Sequence, residues 1–93
     1  MPEDIIQNIA KGEEVGVITH YFGKIQVAVV KATDTIKTGD VLVISGHGNE
    51  FEQRVDSLQI EHEKVQQITK GQEAGMKVTM PTKEGAKVYK KGS

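Results

Sequence analysis

Cysteine is absent from the 93-residue chain, which excludes a disulfide framework and a thiolate metal site and permits a reducing compartment. No apolar run approaches the roughly 18 residues of a membrane span. The first residues, MPEDIIQNIAKGEE, are acidic and lack the basic-then-apolar pattern of a signal peptide. The expectation is a soluble, cytoplasmic protein with no membrane partner. Net charge is only −1, so no whole-molecule field draws the chain to a polyanion. A G-x-x-x-x-G-K-[ST] loop is missing, because Gly23-Lys24 is followed by Ile25 and has no upstream glycine at the required place. Without it no backbone nest cradles a phosphate, and no nucleotide is expected as a ligand. A G-x-S-x-G elbow is missing too, and Ser45 and Ser57 have no adjacent base. No catalytic residue, no cofactor and no enzyme activity of its own are therefore expected. His20, His47 and His62 show no helical i, i+4 spacing, so no metal is expected.

What the chain does have is alternation. Ninety-three residues make one domain, which buries roughly two-thirds of its unfolded surface. Val15, Val17 and Thr19 alternate with Gly16, Ile18 and His20 in a first strand, and His20-Tyr21-Phe22-Gly23 reads as a turn. Ile25 to Val30 forms a second strand. Lys31–Asp40 is a loop with Ile36 tucked beneath, and Thr38-Gly39-Asp40 is turn chemistry. Val41 to Ile44 is the most apolar run and reads as buried. From Phe51 the chain alternates until Val55; Leu58 and Ile60 then fall on the wrong parity, the slip a β-bulge produces. A polar crossing segment follows, with at most one helical turn over Lys64–Lys70. Ala74, Met76 and Val78 then share one face of a clean strand, and Ala86 and Val88 open a short last one. Val43 and Met76 are expected in the core. The fold class is all-β: a six-stranded, closed, Greek-key-type barrel over residues 14–90. Residues 1–13 form a partly ordered N-terminal segment, and 91–93 a tail. No internal repeat stands out.

Three pieces carry a resemblance. They are Gly16-Val17-Ile18, the run Ile36-Lys37-Thr38-Gly39-Asp40-Val41-Leu42-Val43-Ile44-Ser45-Gly46, and Val55-x-x-Leu58 followed by Val65, Ile68, Gly71 and Ala74-Gly75. With Gly85-x-x-Val88 they resemble the second, β-barrel domain of translational GTPases such as elongation factor Tu. The chain is also similar to small stand-alone translation elongation factor-like proteins. His20-Tyr21-Phe22-Gly23-Lys24 and Gln59-Ile60-Glu61-His62 extend the likeness to the C-terminal barrel of collagenase-like peptidases, some of which modify RNA. The resemblance implies a non-catalytic module, here without its GTPase domain, that contacts RNA, a ribosomal element or an RNA-processing protein. The alternative it implies is a protein–protein accessory barrel working with such a peptidase or RNA-modifying enzyme. Either would act as a monomer.

Tyr21 and Phe22 are half of the chain's aromatics, two tyrosines and two phenylalanines, and both fall beside His20 and Lys24. An aromatic next to a cation can stack a base, anchor a protein contact or plug the barrel end. Lys77, Lys87 and Tyr89 are placed on the outer face of the last strands, where lysines could meet phosphate. Tyr21, Phe22, Lys24, Lys77, Lys87 and Tyr89 are thus the candidate ligand-binding residues. The basic tail reads either as a solvated face or as a local basic patch, with Lys77, Lys83, Lys87, Lys90 and Lys91 against Glu84.

Overall fold

The computed structural model describes residues 12–46 and 48–91. The expected ordering of residues 1–11 and any role of His47 lie outside these residues. Within them every regular element is a strand, so the all-β expectation holds. The strands are β1 (Glu13–Phe22), β2 (Val27–Ala32), β3 (Ile36–Lys37), β4 (Val41–Gly46), β5 (Asn49–Arg54), β6 (Leu58–Ile60), β7 (Glu63–Val65), β8 (Gln67–Ile68), β9 (Glu73–Lys77) and β10 (Lys87–Lys90). Eight of them form one sheet in the order β5-β4-β10-β1-β2-β9-β6-β7, and β3 pairs with β8 in a second.

Ten strands replace the six expected, for local reasons. The segment from Phe51 to Ile60 does not bulge; it breaks over residues 55–57, so β5 and β6 are separate strands with different neighbours. The polar crossing, read as having at most one helical turn, forms β7 and β8 instead, and the 31–40 loop contains β3. The bulges lie in β1 instead. Val15 is the extra residue against β10, and Thr19 is the extra residue against β2. Each slip restores the core-facing parity, so Ile18 and then Tyr21 both point inward.

The core lines one face of the large sheet. Ile18, Val30, Leu42, Ile44, Leu58, Met76 and Val88 are fully buried there, and Ile36 and Ile68 join them from the small sheet. Met76 is 0% exposed, as expected. Val43 is also buried, at 7%, yet it sits on the opposite face. Its cross-strand neighbours are Glu52 and Tyr89, while Leu42 and Ile44 beside it point inward.

A short internal correspondence underlies one end of the sheet. Ile36 pairs directly with Ile68 in antiparallel register, which relates their neighbours by an approximate local two-fold. Each isoleucine opens the same device. Asp40 N–H donates to the Lys37 carbonyl (3.1 Å), and Gln72 N–H donates to the Thr69 carbonyl (3.0 Å). The third residue of each turn is glycine at positive φ, Gly39 at 94° and Gly71 at 92°, the geometry of a type II turn. The fourth side chain reaches back, Asp40 Oδ2 accepting from Lys37 N–H and Gln72 Oε1 from Thr69 N–H, both at 2.8 Å. Each turn then docks on a buried residue at the end of a neighbouring strand. Gly39 N–H donates to the Val55 carbonyl while Val55 N–H donates to that of Asp40; Gly71 and Gln72 repeat both bonds with Ala32, all at 2.8 Å.

Candidate functional site

The other end of the sheet is built differently. β1 and β2 meet in a four-residue hairpin loop over residues 23–26. The aromatic pair does not sit in that loop; Tyr21 and Phe22 are the last two residues of β1. Adjacent strand residues face opposite ways. Tyr21 lies opposite Ala28, half-buried against the core, and its ring is the nearest neighbour of Gly23. It plugs the sheet end. Phe22 lies opposite Val27, which lies opposite Lys77 on β9. Those three share the outer face.

Phe22 is 51% exposed, Ile25 in the loop 61% and Met80 53%; these are the large exposed apolar side chains among the described residues. Phe22 ends β1 and Ile25 lies in the hairpin loop that follows it. Val78 N–H donates to the Gln26 carbonyl (2.9 Å), so the chain leaving β9 passes beside that loop two residues before Met80. His20 stands on the same face as Phe22, and the two rings stack with centroids 6.2 Å apart and planes at 26°. Glu84 approaches His20 Nδ1 at 3.4 Å. Lys24 and Lys77 flank the patch and have no ion-pair partner among the described residues.

A buried amide fastens this end. Gln53, on the core-facing side of β5, is 7% exposed. Its Nε2 donates to the Lys77 carbonyl (2.8 Å), and its Oε1 accepts from Thr79 N–H (2.9 Å). Residues 77 and 79 present these groups to one edge while Val78 bonds Gln26 of the hairpin loop from the other. The amide thus occupies the place of a neighbouring backbone peptide.

The remaining candidates lie elsewhere. Lys87 pairs in register with Val17, five residues before Phe22, which is roughly 16 Å along β1. Lys87 Nζ stands 3.8 Å from Glu14, Lys90 Nζ 3.3 Å from Asp40, and Lys91 Nζ 2.9 Å from Glu52. Three of the lysines counted in the basic tail therefore face carboxylates. Tyr89 is half-buried between Val43 and Glu14. The six candidates do not form one patch. Phe22, Lys24 and Lys77 gather at the tip, Tyr21 lies beneath it, and Lys87 and Tyr89 belong to the paired surface of β10. Sequence reasoning passed over Ile25, Met80 and Gln53. Ile25 had been counted as a strand residue, and Gln53 could have been found as the polar residue between Phe51 and Val55 on the inward parity. No three His, Asp or Glu side chains among the described residues gather to hold a metal. Nor is any helix there long and apolar enough to cross a membrane.

No family model matches the chain. An uncharacterised protease of Methanocaldococcus jannaschii is 32% identical over 77 residues, covering 82% of this chain and 19% of the protease. The chain thus spans about a fifth of that relative's length. Two crystal structures of the C-terminal domain of a Geobacillus thermoleovorans protein described as a U32 peptidase superpose with TM-scores of 0.81 and 0.79. They cover 89% and 83% of this chain and 97% and 98% of that domain, at 19% identity in both cases, so the likeness is one of fold. These three proteins fall on the peptidase side of the resemblance.

Proposed function

We propose that the chain is a non-catalytic accessory β-barrel that serves the catalytic part of a peptidase, with a protein surface as its partner. The observation that carries this reading is the superposition of nearly the whole chain on a peptidase's C-terminal domain, joined to 32% identity with a stretch of a protease. Residues 14–90 act as the single domain, and the large sheet closes into a barrel. Support for closure comes from Gln53, which joins β5 at one margin of the sheet to the chain leaving β9 near the other.

The translation-factor reading, with RNA or a ribosomal element as partner, has less behind it. Its basic C-terminal strand meets carboxylates at Lys87, Lys90 and Lys91, which leaves little uncompensated charge there for phosphate. The test is calorimetric titration of the chain into the M. jannaschii protease deleted of its 77 matched residues. Saturable one-to-one binding is expected. No heat and no change in sedimentation would defeat the accessory reading.

A further inference from the structure

We infer that the β1–β2 hairpin tip is the docking face, and that it takes an acidic protein segment bearing large apolar side chains. This rests on the accessory reading and names the surface of the partner. Three observations carry it. Phe22, Ile25 and Met80 are each at least half exposed; the first two lie at the hairpin, and Met80 follows two residues after Val78, which bonds the Gln26 carbonyl. Such a cluster marks a contact site more often than a lone exposed side chain does. Lys24 and Lys77 stand at its margin without a carboxylate among the described residues, whereas Lys87, Lys90 and Lys91 each have one. Glu84, 3.4 Å from His20 Nδ1, brings one negative charge against the two positive charges of Lys24 and Lys77. The local charge that a partner meets is therefore positive, and a complementary surface is acidic.

The same features disfavour other occupants. A second copy would set lysine against lysine. A nucleobase stacks on aromatic faces, but His20 takes one face of Phe22, and Ile25 and Met80 offer no π-surface. Leu and Phe side chains between Glu residues satisfy both the apolar cluster and its two cations.

Two synthetic peptides test this, sharing an alternating Leu/Phe pattern with either Glu or Lys at the intervening positions. Each is titrated into the full chain at low and high salt, followed by amide shifts. The Glu peptide should perturb residues 20–27 and 77–81, bind more weakly at high salt, and lose about tenfold in affinity or more to Lys24→Glu/Lys77→Glu. That double variant, altered only at exposed positions, should instead prefer the Lys peptide. Equal binding of both peptides, shifts confined to β10, displacement by transfer RNA, or dimerisation through the tip would each overturn the inference. The two proposals fail separately. If the truncated protease binds the wild type and the charge-reversed variant equally, the docking face is wrong and the accessory role stands. If the Glu peptide binds the tip but the protease does not, the accessory role is wrong.

Discussion

The two ends of the sheet solve the same problem in different ways. At the end that holds Gly39 and Gly71, backbone bonds backbone. Two type II turns, each backed by its own side chain, dock on Val55 and Ala32, and the paired Ile36 and Ile68 fill the space between. At the hairpin end the chain leaving β9 has one backbone bond to the hairpin loop, at Gln26, and is otherwise fastened by the Gln53 side chain. The first arrangement satisfies its own backbone groups. The second leaves three apolar side chains in solvent. Rigidity and availability have been separated along one axis, so substitutions at the two ends should read out differently.

The sharpest break is expected at the amide. Gln53→Leu keeps the volume but leaves the Lys77 carbonyl and the Thr79 N–H without partners. Burying two such groups unpaired should cost about 3 kcal/mol and lower Tm by roughly 15 °C. Gln53→Glu retains the acceptor for Thr79 and loses the donor to Lys77, so it should also destabilise. A thermal melt of Gln53→Leu within a degree or two of wild type would show that backbone contacts alone hold the hairpin end.

Next in size are the twin turns. A Cβ on Gly39 or Gly71 would meet nothing within 4 Å, so the cost of alanine is that of the left-handed backbone alone. Each should lose about 1–2 kcal/mol, and the two losses should match because the turns match bond for bond. Urea denaturation of the two single variants checks this. A difference larger than about 1 kcal/mol between them would mean that the correspondence is one of geometry and not of energetics.

How much of this contrast the sequence discloses depends on whether the signal is local. Thr38-Gly39-Asp40 announces its turn because glycine and aspartate act on their own backbone. Strand parity places Met76 and Leu42 correctly because burial on one face repeats every second residue. The apolar run 41–44 announces that Val43 is buried, as it is, but not that its burial comes from the outer face. Reading Tyr21 and Phe22 as a turn hides their opposite faces, because the bulge at Thr19 lets β1 run on through both. The correspondence between Ile36 and Ile68 is hidden because the five residues share only isoleucine and glycine; Asp40 and Gln72 do one job with different side chains. Gln53 cannot be read as a fastener until the chain leaving β9 is known to pass beside it. The candidate site was legible as a pair of facts, an aromatic and a nearby cation, but Val78 reaches Gln26 only through long-range pairing.

A smaller effect, and one of opposite sign, is expected in the hairpin loop itself. Gln26 adopts φ of 55°, a region that costs a side-chain-bearing residue strain. Its carbonyl, which accepts from Val78, is kept when the side chain is removed. Gln26→Gly should therefore stabilise by about 0.5–1 kcal/mol, visible as a higher urea midpoint with unchanged slope. A loss of stability would show that the glutamine side chain makes a contact worth more than the strain.

The smallest stability change should come from the tip. Phe22→Ser, Ile25→Ser and Met80→Ser remove side chains that are already half in water or more, so each should shift stability by less than about 0.5 kcal/mol. Their value lies in that silence. If the three variants melt with the wild type yet no longer bind the acidic peptide, the apolar cluster exists for a partner and not for the fold. If Phe22→Ser alone costs about 2 kcal/mol, the ring stacked with His20 is packing for the sheet end. The division between a closed, self-satisfied end and an open one would then have to be drawn elsewhere, with Ile25 and Met80 as all that remains of the exposed face.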